Sequence, residues 1–175
     1  NKALLAAVEQ VKKNKSQLHL IGLIGSGNVH ARTDHLYALL ELCKKNNLGK
    51  EVFVHVILDG RDCKFDLGAQ FVAELQAKMI ELEVGRIASL SGRFYAMYRY
   101  NRCPRVEKAY RAMAEGIADK TATDPVKVIK ESYDGKVYDE EYVPTVIVGK
   151  NGKPVTTVQT GDAAIFWNFR PDRAR

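Results

Sequence analysis

Leu18-His19-Leu20-Ile21-Gly22-Leu23-Ile24 runs without a charge straight into Gly25-Ser26-Gly27-Asn28-Val29-His30. An unbroken apolar run of this length predicts a strand buried on both faces, as in a parallel sheet covered by helices. The glycine turn after it predicts backbone amides that can approach a small anion closely. Working outward, residues 51–58, Glu-Val-Phe-Val-His-Val-Ile-Leu, predict a second buried strand and residues 86–90 a shorter third. Helical spacing of Leu4, Leu5, Val8 and Val11 predicts a helix over 2–14, and Leu36, Leu39, Leu40 and Leu42 predict another over 34–46. A long amphipathic helix is predicted over 67–84. Strands alternating with helices imply parallel βαβ crossovers.

Further along, helices are predicted over 105–118 and 125–133, the latter opened by Asp124 as cap and Pro125 in the first turn. Then the rhythm changes. β-Branched runs at 143–148 and 154–158 flank Asn151-Gly152, a hairpin signature, and Ala163-Ala164-Ile165-Phe166-Trp167 predicts a last strand. The expected fold class is α/β: a three-layer α/β/α domain with a mixed, mainly parallel sheet and one antiparallel hairpin near the C-terminus, spanning 1–175.

A chain of 175 residues suits a single core, and its formal charge of +6 fits an acidic small molecule or weak nucleic-acid contact. No apolar run reaches the roughly 18 residues of a membrane span. The start, Asn1-Lys2-Ala3-Leu4-Leu5, carries neither an initiator Met nor a signal peptide and reads as interior to a longer protein. Cys43, Cys63 and Cys103 are too scattered for a disulfide framework or a Cys-x-x-Cys site, so a reducing, cytoplasmic compartment is expected.

Each predicted strand ends in polar residues unsuited to a core: Gly25 to His30, Asp59-Gly60-Arg61-Asp62, Ser91-Gly92-Arg93, and Arg170 with Arg173 after the last strand. Ligands of open α/β sheets bind outside the carboxyl ends of the strands, where these segments would converge, and Arg99 lies a short loop beyond Arg93. A cleft holding Arg61, Arg93, Arg99, Arg170 and Arg173 carries more positive charge than one carboxylate needs. A phosphorylated acid would use it. Asp62, flanked by arginines that favour its ionised form, is the candidate to take a proton from a substrate hydroxyl; the other reading is that it orients Arg61 or caps a helix.

His30, in its glycine turn, can donate to phosphate or return a proton, whereas a bland reading makes it a solvent-facing helix start. His19 and His55, inside apolar strands, are expected in the core, bonded to backbone. His35 is expected on a helix face. No histidine and carboxylate pair has metal-ligand spacing, so no metal site is expected within this chain. Gly25-Ser26-Gly27 imitates half of a dinucleotide fingerprint, but His30 stands where the third glycine belongs. Ser26, Ser89 and Ser91 lie in no nucleophile elbow. Tyr95, Tyr98, Tyr100 and Tyr110 interleave with Arg99, Arg102, Arg105 and Arg111 as a nucleic-acid surface would, though a solvated helix face explains the same pattern.

Taken together, five stretches resemble the cofactor-independent (2,3-bisphosphoglycerate-independent) phosphoglycerate mutases: 18–30, 59–62, Ser91 to Met97, Val106 to Arg111 and Asn168-Phe169-Arg170-Pro171-Asp172-Arg173-Ala174-Arg175. They occur in the family's order. The resemblance implies the inserted substrate-binding domain of a two-domain enzyme, without the phosphatase-like domain that carries a serine nucleophile and two divalent metals, usually manganese. It implies a phosphoserine route between 3-phosphoglycerate and 2-phosphoglycerate in glycolysis and gluconeogenesis, and an isolated chain that is inactive. It also implies substrate contacts from His30, Arg61, Asp62, Arg93, Arg99, Arg170 and Arg173. Arg93 and Arg99 suit the carboxylate end, Arg170 and Arg173 the phosphate side, and Asp62 proton transfer. The break after Arg175 then falls where the chain would cross back to the catalytic domain.

The chain also departs from the family. Asn28 replaces a usual glycine, and Tyr98, Tyr100, Cys103 and Pro104 replace residues that are commonly Asp, Asp, Trp and Asp. Loss of those acids removes orienting partners from Arg99, while Asn at position 28 suits a positive φ. Two other classes stay open at this stage: a self-contained binding module for phosphorylated metabolites or nucleotides, and a nucleic-acid binder.

Overall fold

The computed structural model describes residues 1–99 and 103–173; Tyr100, Asn101, Arg102, Ala174, Arg175 and the Cys103 side chain lie outside the described residues. Helix α1, Lys2–Asn14, starts where the Asn1 side chain accepts the Ala3 N–H, buries Val8 and Val11, and stops at Lys15 in the left-handed conformation. Strand β1, Leu18–Ile24, is buried at every position, as is β2, Val52–Leu58. Helix α2, Thr33–Lys45, joins them, and α3, Gly68–Leu82, leads on to β3, Arg86–Gly92. A single helical turn, α4, Arg93–Ala96, follows β3 directly and precedes α5, Cys103–Ala114.

The remaining elements are β4, Lys120–Ala122; α6, Pro125–Asp134; a 3₁₀ turn, Asp139–Glu141; β5, Thr145–Ile147; β6, Ala163–Phe166; and a 3₁₀ turn, Pro171–Arg173. Asp124 caps α6 through the N–H groups of Val126 and Lys127, with Pro125 in the first turn. All six strands join one sheet in the order β4-β5-β3-β2-β1-β6, parallel except for β3 against β5. Helix α3 packs on α2 and α6 over one face, while α5 packs on β3 and β5. The result is a three-layer α/β/α fold with a mixed, mostly parallel sheet.

Some boundaries move. The turn at Asn151-Gly152 forms, closed by a bridge between Val148 and Pro154, but 154–158 does not continue as a strand. Both edges of β5 are already taken, by β3 and by β4, so after the Val155 N–H bond to the Ile147 carbonyl the second arm finds no free edge, and the sheet's antiparallel pair is β3 with β5. The helix expected over 105–118 ends at Ala114. β4 carries no apolar run and exists through its pairing with β5.

His19 and His55 are buried, as expected, yet their ring nitrogens are not given to backbone. His19 Nε2 lies 3.1 Å from Asp162 Oδ2, His19 Nδ1 lies 2.9 Å from His55 Nε2, and His55 Nδ1 lies 2.8 Å from Ser89 Oγ. Backbone N–H bonds from Gln159 and Gln17, with His19, outweigh the burial of Asp162 and hold its carboxyl below the usual range. An ionised Asp162 accepts from His19, which leaves His19 to accept from His55 and His55 to accept from Ser89. One proton order satisfies the whole row.

Candidate active site

Because β3, β2, β1 and β6 are adjacent and parallel, their carboxyl ends open on the same edge of the sheet. The end of β6 is stitched to β1: the Trp167 N–H donates to the Ile21 carbonyl at 3.1 Å and Leu23 N–H to Asn168 Oδ1 at 2.9 Å. One step further, the His30 carbonyl accepts the N–H groups of Phe169 at 2.9 Å and Arg170 at 3.4 Å. The ends of β1 and β6 are therefore joined as one wall.

Along this edge lies a cavity of about 480 Å³ lined by Arg61, Arg93, Arg99 and Arg173 together with Glu140 and Glu141. That volume suits a small metabolite. Arg93, the first residue of α4, is buried, and its Nη1 donates at 2.6 Å to both Asp59 Oδ1 and Asp62 Oδ2. Burial opposes its charge, but the bonds to Asp62 and Asp59 more than offset that and tighten its hold on the proton. Asp59 also accepts the N–H groups of Asp62 and Arg61, so one buried carboxylate shapes the loop that presents both.

His30 is 4% exposed, not the solvent-facing helix start of the bland reading. Its Nε2 is 3.8 Å from Asp62 Oδ2 and its Nδ1 is 3.8 Å from Asp172 Oδ1. Burial and then the Arg93 charge push its pKa down against the pull of Asp62 and Asp172, which favours the neutral imidazole. Gly27 lies against Asp62: a Cβ there would sit 2.5 Å from the Asp62 carbonyl oxygen. What Gly27 approaches closely in the fold is the Asp62 backbone. Asn28 adopts φ 53, the positive value its amide side chain tolerates.

Arg61 reaches over the opening, its Nε 3.3 Å from Glu140 Oε1. Arg99 Nη1 lies 3.8 Å from Asp172 Oδ2, so a carboxylate from another strand end stands near it despite the acids missing from its own loop. Arg170 Nε is 2.8 Å from Asp172 Oδ1, and Arg170 does not line the cavity. Arg173 does, and its buried Nε has no hydrogen-bond partner. Arg105 stacks on Phe94 and Tyr98, which themselves line the cavity, while Tyr95 contacts Phe94 edge-on and Arg111 pairs with Glu115.

Sequence reasoning missed the carboxylates that organise the arginines. Asp59 heads its own loop motif and Asp172 sits between Arg170 and Arg173, so a local signal marks both. Nothing local marks Glu140. Among the described residues no group of three His, Cys, Asp or Glu side chains stands together as metal ligands, and no helix is long and apolar enough to cross a membrane. Cys43 and Cys63 are free, each thiol pushed up to about 11 chiefly by burial.

Comparison with known proteins gives one result. The family model described as BPG-independent PGAM N-terminus matches residues 1–175. Proteins named 2,3-bisphosphoglycerate-independent phosphoglycerate mutase from Clostridium perfringens strain 13 and Lachnoclostridium phytofermentans are each 50% identical over 175 residues, covering 100% of this chain and 34% of theirs. A crystal structure of Leishmania mexicana phosphoglycerate mutase, solved at low cobalt concentration, superposes with a TM-score of 0.89 at 34% identity, covering 96% of this chain and 32% of that one. The chain spans about a third of the length of these relatives.

Proposed function

The chain belongs to the BPG-independent phosphoglycerate mutase family, as its N-terminal region, and from that premise we propose that it is the domain that grips phosphoglycerate while phosphate is moved between two hydroxyls of the substrate. The observation that carries this reading is the gathering of Arg61, Arg93, Arg99 and Arg173 around one cavity, with Asp62 and His30 linked behind Arg93. Guanidiniums at several points of a small cavity can hold a carboxylate and a phosphate at once.

In this reading the rest of the polypeptide supplies a serine nucleophile and divalent metal ions, with manganese the expected ion; the metals act there as Lewis acids. The residues here have other work. Arg93 and Arg99 hold the carboxylate end, and Arg173, with Arg170 behind it, meets the phosphate. Asp62 takes the proton from the glycerate hydroxyl as that oxygen bonds to phosphorus and the serine oxygen leaves. His30, neutral and wedged between two carboxylates, backs Asp62 where it bonds Arg93 at the edge of the cavity. Substrates would be 3-phosphoglycerate and 2-phosphoglycerate, the setting glycolysis in the cytoplasm, and residues 1–175 one domain of a two-domain enzyme.

Titration calorimetry with 3-phosphoglycerate tests the reading. Binding by this chain is expected to be weak, with a Kd on the order of 1 mM, because part of the phosphate's surroundings would come from the other domain. Arg61→Ala and Arg173→Ala should each weaken it about tenfold, and Arg170→Ala less. If neither cavity arginine mattered, the shared-ligand model would fall. Conversion of 3-phosphoglycerate to 2-phosphoglycerate by this chain alone would overturn the division of labour.

A further inference from the structure

The 3₁₀ turn Asp139–Glu141 comes from a distant part of the chain, yet it is built into both central loops of the site. At Gly60 an added Cβ would meet the Glu140 nitrogen at 2.5 Å, and at Gly92 it would collide with the Glu140 carbonyl oxygen. Neither loop could carry a side chain there without pushing the turn away. Two backbone bonds hold the turn from either side: Asp139 N–H to the Phe65 carbonyl at 3.0 Å and Gly92 N–H to the Tyr142 carbonyl at 2.8 Å. The turn thus braces the loop of Arg61 and Asp62 against the start of Arg93.

What locks the turn is the Asp139 side chain, which is 1% exposed. Its Oδ2 accepts the Gly68 N–H at 2.7 Å and its Oδ1 accepts the Tyr133 hydroxyl, which in turn accepts the Ala69 N–H at 3.2 Å. Leu67, at the cap position of α3, offers no side-chain bond, so Asp139 caps α3 from 71 residues away. The next residue is Glu140, which pairs with Arg61.

We propose that Asp139 is a positioning residue for the anion site: by fixing the 139–142 turn on the first turn of α3 it sets where Glu140 stands, and through Glu140 it holds Arg61 over the cavity. This rests on the function proposed above. Arg61 is a long side chain with more than half its surface in solvent, so without a fixed carboxylate beside it each binding event must also order it. The bonds of Asp139 do not suffice to make it a simple stabiliser. Burial, against the bonds from Tyr133 and Gly68 and with Asp66 adding repulsion, raises its carboxyl to about 6, so keeping it ionised at neutral pH works against folding. Its place in the fold is explained by the geometry it imposes.

A double-mutant cycle separates the two roles. The 3-phosphoglycerate affinity and the thermal midpoint are measured for wild type, Asp139→Asn, Arg61→Ala and the double variant. Asp139→Asn is expected to weaken binding about three- to tenfold, the cost of ordering one long side chain, and to add nothing once Arg61 is Ala. Tyr133→Phe, which removes one bond to the same carboxylate, should move binding in the same direction by less. Equal weakening by Asp139→Asn in both backgrounds, or none in either, overturns the proposal while leaving the proposed function standing. Failure of wild type to bind 3-phosphoglycerate removes both.

Discussion

Arg93 Nη1 and Asp59 Oδ1 stand 2.6 Å apart beneath the cavity, with side chains 4% and 2% exposed. An arginine that looks in sequence like a free anion hook is thus partly spent on the protein's own carboxylates. Asp59→Asn would leave that guanidinium buried with Asp62 as its remaining close counter-charge. The expected cost is about 3 kcal/mol, the low end for breaking a buried pair. Urea unfolding measures it, and a loss within experimental error would show that Asp62 alone suffices.

The buried row from Asp162 through His19 and His55 to Ser89 makes the fold acid-sensitive. Burial pushes the His19 pKa down, and burial with the nearby His19 pushes His55 down to about 3, against an ordinary 6.5. The unfolded chain therefore takes up protons below pH 6.5 that the folded chain refuses. Stability is fully present above that point and falls as pH drops toward about 3, by about 1.4 kcal/mol per pH unit for His55, with His19 adding a loss of the same sign. His55→Gln should remove about one proton from this slope between about pH 6 and 4, read from urea midpoints across that range. An unchanged slope would mean that His55 is not the group refusing the proton.

Gly27→Ala addresses the floor of the site. The new Cβ would fall on the Asp62 carbonyl, and backbone there yields only if the whole loop shifts. An overpacking cost of about 1–3 kcal/mol is expected, together with loss of 3-phosphoglycerate binding larger than that of Arg170→Ala. Normal binding by this variant would show that Gly27 does not set the place of Asp62.

How much of this was visible in the chain depends on whether the signal was local. β1 and β2 declared themselves because seven consecutive buried positions in each leave an unbroken apolar run. The convergence of His30, Arg61-Asp62 and Arg93 followed from strand ends alone, since parallel neighbours share an edge. β4 was invisible, being Lys120-Thr121-Ala122 with nothing apolar to mark it beyond its alanine. The second arm of a good hairpin signal went unpaired because β3 and β4 already hold both edges of β5, a fact of sheet order that no local signal carries. His19 and His55 were placed correctly in the core, but their bonds cross three strands, and pairing of that kind depends on register. Glu140 shows the same limit at the site: its contact with Arg61 arises because two glycines let a remote turn come close.

Asp172 yields the last prediction. Its carboxylate lies 2.8 Å from Arg170 Nε, 3.8 Å from Arg99 Nη1, 4.0 Å from Arg173 Nε and 3.8 Å from His30 Nδ1. It occupies the place among these arginines that an incoming anion would contest. A group about a third exposed is screened, so its effect is modest at physiological salt and larger at low salt. Asp172→Asn keeps the size and removes the charge. Sulfate, whose charge does not change near neutral pH, should bind about three- to tenfold tighter to this variant at low salt. The His30 pKa should fall further, because Asp172 is one of the groups raising it; imidazole chemical shifts followed against pH read this directly. Tighter sulfate binding with a lower His30 pKa identifies Asp172 as an internal competitor for the arginines. Weaker sulfate binding would instead make it their organiser, with the arginines losing their aim when it is gone.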